Sequence, residues 1–458
     1  MRALPLLLVS WIAFAVGCKK SQPAAQPQGS AAVTPPAGAP AAAARDQVIA
    51  RLGAPGGSVY TEELVASDDG GFVLSAEVRG KLDIAGTTIA QANKDEPVDA
   101  VIAFDGSGKP RWVRALDAHC SGSFQLATRG TSTVIAGSCS RPVDTPSGRI
   151  APAKDEYDHF FLATLDDRGA ITWAKYAGAA GGHQIVHDLA VDADGTIVVA
   201  GWLFASADLG TGPINVPAHG KVGFVAAYDA DGKARWVQTY PTAFVHAVVV
   251  AGDEVSIAGT FSQQLQVGAT KLVADQGGRF VARLAKGDGA PRAAIKVGEN
   301  ASMEQELVRA PSGTLYLVAD DLAGVALYGI DAAGQAKELH RIAGRDSCLV
   351  GNRDLAIDAT GTLWLATCFG KPVDFGGGPV TPVGFDDAIV VTYHPDGAYA
   401  GAHPLGTERV DTLHGLAIDK TGAPVVAWFS EAGPADKPYR DWLITEVYYA
   451  AAIERIAR

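Results

Sequence analysis

The chain repeats itself, and no other feature constrains its fold as tightly. The cleanest copy of the unit runs His187-Asp188-Leu189-Ala190-Val191-Asp192, turns through Ala193-Asp194-Gly195, and continues as Thr196-Ile197-Val198-Val199-Ala200-Gly201. After a polar stretch come Gly223-Phe224-Val225-Ala226-Ala227-Tyr228, a turn at Asp229-Ala230-Asp231-Gly232, and Ala234-Arg235-Trp236-Val237-Gln238-Thr239-Tyr240. Four short β-branched and aromatic runs bounded by Asp/Gly turns read as four strands. With Gly201 as the register mark, the pattern recurs at Ala76, Gly137, Gly259, Ala319, Thr367 and Trp428, at intervals of 61, 64, 58, 60, 48 and 61 residues.

Other positions keep the same register. Gly70, Gly195, Gly313, Gly361 and Gly422 each stand six residues before their mark, where the first hairpin needs a residue that tolerates positive φ. The stretch after the mark recurs as Leu82-Asp83-Ile84-Ala85-Gly86, Ala207-Asp208-Leu209-Gly210, Leu265-Gln266-Val267-Gly268 and Val373-Asp374-Phe375-Gly376, and its shortening in the fifth repeat explains the interval of 48. Trp112, Trp173 and Trp236 share one position in the first three repeats and read as packing between repeats. Seven units of four strands predict an all-β, seven-bladed β-propeller, in which each blade hides its faces against its neighbours. Tandem immunoglobulin-like domains need about 100 residues each, and no polar end cap of an open solenoid is visible.

Asp188-Leu189-Ala190-Val191-Asp192 through Val199-Ala200-Gly201 resembles the repeat of bacterial SBBP-type β-propeller proteins, often secreted or lipid-anchored. The turn Ala227-Tyr228-Asp229-Ala230-Asp231-Gly232-Lys233 leading to Trp236 is similar to the blade motif of quinoprotein-like propellers. These resemblances cover roughly residues 46–449 and imply a fold rather than an activity. A quinone-binding dehydrogenase would carry adjacent cysteines and a calcium constellation, and no two cysteines are adjacent here.

The N-terminus reads as an address. Met1-Arg2 and the fifteen-residue apolar run Ala3 to Gly17 have the size of a signal h-region, too short to span a bilayer comfortably. Ala15-Val16-Gly17-Cys18 resembles a bacterial lipobox, which implies cleavage at 17, lipidation of Cys18 and a membrane held through that lipid. Residues 18–44, rich in Pro and Ala without periodicity, read as a solvated tether, and 45–458 as the propeller. The expected location is therefore the bacterial cell envelope, at either membrane, with the folded part periplasmic or extracellular.

Ring closure is legible too. Val48 to Gly57 matches Trp173 to Gly182 with one residue of slack, so residues 47–52 are expected as an outer strand without a blade of their own. That strand would complete the last blade, whose third strand is expected at Trp442 to Tyr448. Ala450 to Ile456 competes for the closing place as a strand or short helix.

Four cysteines remain besides Cys18. Cys120 and Cys139 bracket the first hairpin of the second repeat, and Cys348 and Cys368 that of the sixth. In an oxidising compartment these matched positions predict the disulfides Cys120–Cys139 and Cys348–Cys368.

With 38 Lys+Arg against 50 Asp+Glu, the net charge of -12 argues against nucleic acid as a partner. The Asp-rich turns, such as Asp192-Ala193-Asp194-Gly195 and Asp358-Ala359-Thr360-Gly361, offer two or three oxygens where calcium needs six to eight, and Asp and Gly are what such turns require anyway. His183 and His187 lack the zincin Glu, and no G-x-S-x-G or Walker loop occurs. No metal, cofactor or catalytic residue is predicted, and the chain is expected to be a monomer.

The first strand of each blade is innermost, and the loop leading into it opens on the channel mouth. By register those positions are Glu62-Glu63, Ser123-Phe124, His187-Asp188, Val245-His246, Gln305-Glu306, Arg353-Asp354 and His414-Gly415. Glu62, Glu63, His187, Asp188, His246, Glu306, Arg353, Asp354 and His414 form the candidate ligand ring, suited to hydroxyl-rich or cationic ligands. The expected function is a lipid-anchored binding or scaffolding module for an envelope protein or glycan. The alternative is an envelope enzyme of the polysaccharide lyase or glycosidase kind working at the central face.

Overall fold

A computed structural model describes residues 47–91, 96–121, 124–217, 220–299, 305–344, 348–349, 353–432 and 448–457. The signal run, Cys18 and the tether lie outside the described residues. Seven four-stranded antiparallel sheets follow one another in chain order. Blade 3 shows the pattern: Gln184–Val191 innermost, then Ile197–Leu203, Val222–Tyr228 and, outermost, Ala234–Pro241. Every register mark falls on a second strand, and Gly195 has the positive φ of 85° its place before the mark demands.

The core is the space between blades. Seven clusters of buried apolar residues each join the facing sheets of two neighbours, and the last makes the structure a closed ring. In that cluster Val59, Leu74 and Ile102 of the first blade pack with Val425, Ala451 and Ile453 of the seventh, and with Leu52. All seven interfaces are made within the compact unit Ala44–Arg458. Small hairpins fill the connection between second and third strands in several blades, whereas blade 5 turns directly from Asp321 to Gly324.

Gln47–Leu52 closes the ring as the outermost strand of blade 7, pairing antiparallel from Gln47 opposite Arg455 to Leu52 opposite Ala451. The third strand of that blade is described over Tyr448–Arg455, so it runs seven residues past Tyr448, where the sequence was expected to end it. Residues 442–447, the rest of the expected span, lie outside the described ones. A third strand is covered on both faces, so Ala451 and Ala452, only 1% and 2% exposed, suit it despite their helix propensity. Ala450 to Ile456 therefore does not compete with the N-terminal strand. It is the strand to which the N-terminal segment pairs.

Both disulfides are present, Cys120–Cys139 and Cys348–Cys368, with Cα separations of 3.9 and 5.3 Å. Such bonds belong to a domain that folds outside the reducing cytoplasm. Among the described residues no helix is long and apolar enough to cross a membrane.

Candidate functional site

The antiparallel order places the turns between first and second strands at one end of the ring, and the connections between blades at the other. The inner strands run from the connection end to the turn end, and the predicted ring lies along them rather than in the loops. Glu62, His187 and His246 sit where one extra residue bulges from the inner strand, as do His414 and Gly415 together. Glu63, Asp188, Glu306 and Asp354 occupy the next paired position, opposite Ser75, Ala200, Val318 and Ala366.

A fixed count back from the mark fails in blades 2 and 4. There the first hairpin turns in two residues, between Arg129 and Ser132 and between Ala251 and Glu254, so one residue is missing. The structural equivalents of Asp188 are Gln125 and Ala247, not Phe124 and His246. The signal was available: Gly130 and Gly252 stand seven residues before their marks, not six.

The inner strand of a blade has one free edge, and its outward N–H groups need acceptors. The carboxylates supply them across the blade boundary. Glu63 accepts from the N–H of Leu126 at 2.5 Å, Asp188 from Val248 at 2.6 Å and Asp354 from Leu416 at 2.6 Å, each donor being in the following blade. Asp188 also accepts from Leu189 N–H at 2.7 Å. Burial pushes the Asp188 carboxyl up to about 7 against those bonds. Glu63 is raised well above the carboxylate range by burial and by the like charges of Asp188 and Asp354. Asp354 shifts upward for the same first reason. These three carboxyls therefore feel one another across the channel, each tied to a neighbouring backbone.

The remaining members serve elsewhere. Arg353 turns from the channel to a buried ion pair, Nη2 to Asp320 Oδ1 at 2.9 Å, and also donates to Leu349 O. His187 stacks on Trp202 with ring centroids 4.2 Å apart and touches His246, which shares a hydrogen bond with the Thr260 hydroxyl. His414 stacks on Phe429. Burial lowers His187 and His414 to about 4 and His246 well below its ordinary range, so all three are neutral aromatic packing at neutral pH. Burial, with Glu77 and Asp99 adding like charge, raises Glu62 to about 8. His183, by contrast, lies in the preceding connection and accepts from Asp158 N–H. No group of His, Cys, Asp and Glu among the described residues is arranged to hold a metal ion.

Beyond the carboxylates, toward the turn end, the channel widens into an open cavity of about 750 Å³. Residues 64–66, 249–251, 308–311, 355–359 and 416–418 line it. Sixteen of these eighteen are apolar, and the exceptions are Arg309 and Asp358. Asp358 is committed to its own turn, where Oδ1 accepts from Thr360 and Thr362. Arg309 went unnoticed in the sequence, although the repeat itself marks it. Arg309 pairs with the residue four before its mark, and the residues so paired in the other blades are Ala66, Thr128, Val191, Val250, Ile357 and Ile418, none charged.

No family model matches the chain, and no curated protein sequence matches it. Solved structures do resemble it. The β-propeller domain of the Trilobed protease from Pyrococcus furiosus is similar over 81% of this chain and 91% of its own, at 8% identity and a TM-score of 0.44. A protein of unknown function from Dyadobacter fermentans matches 90% of this chain and 98% of its own, at 11% identity and a TM-score of 0.42. Quinohemoprotein alcohol dehydrogenase from Comamonas testosteroni matches 86% and 74%, at 12% identity and a TM-score of 0.37. Likenesses at this level concern the fold alone, and the propeller assignment stands on the sheet pairing itself.

Proposed function

We propose that the chain is a lipid-anchored envelope binding module, held by Cys18, that takes a ligand into the central cavity at the turn end of the propeller. The observation that carries this reading is how the inner carboxylates are used. Glu63, Asp188 and Asp354 each accept a backbone N–H of the next blade, so they serve as staples rather than as a free acid and base facing a substrate. The cavity beside them has the volume and apolar lining common to small-ligand sites.

An envelope glycosidase remains the competing reading, because Glu62, raised to about 8, has the protonation a general acid needs. Incubating the purified protein with envelope oligosaccharides separates the two. Saturable small-molecule binding without product supports the binding module, and product formation that disappears in Glu62→Gln overturns it. Mass spectrometry of the mature N-terminus tests the anchor: a diacylglyceryl mass on Cys18 is expected, and an unmodified Cys18 or cleavage elsewhere removes lipidation from the proposal.

A further inference from the structure

We infer that the central cavity receives an amphiphilic carboxylate, its acyl body among the apolar strand ends and its carboxylate on Arg309; this rests on the cavity being the binding site. Among the described residues, Arg309 is the only cation in the lining. Its guanidinium has five N–H donors. Among the described residues it makes one long hydrogen bond, Nη1 to Ala251 O at 3.4 Å, and its buried Nε has no partner. The nearby Asp253 feels the Arg309 charge, but its carboxylate is bound to Arg292 at 2.7 Å. A fork with spare donors at the wall of an apolar space is matched by a carboxylate, which can accept two parallel bonds.

The rest of the lining narrows the class. A sugar would need several convergent polar side chains, and the other polar residue, Asp358, is already engaged, Oδ1 by its turn and Oδ2 by the indole N–H of Trp364. A simple inorganic anion would leave most of the 750 Å³ in contact with apolar walls. An acyl chain ending in a carboxylate satisfies both parts at once. Arginine also stands alone at this level of the ring, since the six equivalent positions carry Ala, Thr, Val or Ile, so no requirement of the repeat places it there.

The probes are octanoate and octanol, titrated calorimetrically into the unit 45–458, which contains every blade interface. Octanoate is expected to bind at least about tenfold more tightly than octanol, the effect of one charge-assisted pair. Arg309→Gln should erase that preference while leaving octanol affinity and the melting temperature unchanged, and Ala356→Phe, which fills the cavity, should weaken both. Arg309→Lys should retain part of the preference if the glutamine variant proves poorly folded. Equal affinity for octanoate and octanol, unaltered in Arg309→Gln, overturns the carboxylate class but keeps the cavity. A hexapeptide with a free C-terminus binding more tightly than octanoate overturns the acyl body. Failure of all three probes to bind removes the cavity reading itself.

Discussion

The indole of Trp173 covers the α-carbon of Gly232 in the following blade so closely that a methyl group there would overlap the ring. Its Nε1 donates to Ala230 O at 2.9 Å, fixing the indole on the turn. Trp112 on Gly169 and Trp236 on Gly289 repeat the arrangement, and Ile295 on Gly334 and Leu339 on Gly397 continue it with aliphatic side chains. The tryptophan register thus stops after three repeats while the turn glycine continues under an aliphatic lid, which is looser over Gly334, where the added carbon would lie 3.5 Å from Ile295.

Gly232→Ala should therefore cost about 2–4 kcal/mol, combining strain at a φ of 76° with displacement of the indole. Gly86→Ala is the control, with a matching φ of 81° but nothing within 4 Å of the added carbon, and should cost only about 1–2 kcal/mol. Urea denaturation of both variants measures the difference. Equal losses would show that the indole contact contributes nothing.

Asp188 gives a pH dependence with a definite sign. Its folded pKa, about 7, lies above the unfolded value, so between pH 4 and 7 the folded state holds more protons and stability falls as pH rises. The neutral histidines act in the opposite sense near pH 4 to 6.5, so the whole-protein curve mixes the two. The difference between wild type and Asp188→Asn reads this carboxyl together with the relief its loss gives Glu63 and Asp354, which acts in the same sense. The variant should gain on the wild type from pH 4.5 to 8, by on the order of 3 kcal/mol at most. A difference that is flat, or slopes the other way, would remove burial as the cause of the shift.

Each disulfide closes a loop of similar length, with sequence separations of 19 and 20. Cys120→Ala with Cys139→Ala should lower stability by roughly 3 kcal/mol in the chain-entropy view. Peptide mapping without reductant should recover both native pairs. Free thiols at these positions, or Cys120 joined to Cys348, would contradict the pairing.

Deleting residues 47–52 strips the outer partner from Tyr448–Arg455 and removes Leu52 from the core between the first and last blades. The expected result is a drop of many degrees in melting temperature, with association through the bared edge. Scanning calorimetry and light scattering measure both, and an unchanged midpoint would mean that the closure carries no stability.

Architecture was legible because a repeat is a signal averaged over seven copies. Gly195, Val199 and Gly201 each have counterparts that announce a hairpin and a buried strand, and the cysteines inherit their geometry from the same register. The candidate ring was less legible. Its positions could be counted to within a residue, but one residue decides which side of the strand a group occupies, and two-residue turns at Gly130 and Gly252 altered the count. Direction was hidden altogether: Arg353 follows Asp320, a partner set by the neighbouring blade, and nothing local announces it. Arg309 was visible as an exception within the repeat, yet its meaning depended on the cavity it faces.

The pairing of Gln47 with Arg455 also bears on how the protein is made. The first strand of the propeller to be made waits for its last, roughly 400 residues later, before it has a partner. While the chain emerges, six blades can assemble, but the ring stays open and one strand remains without hydrogen-bonding company. Completion is thus a late, single event, and a truncated or stalled chain keeps two sticky edges that a finished molecule never shows. The seam acts as a built-in proof that all seven blades have been made.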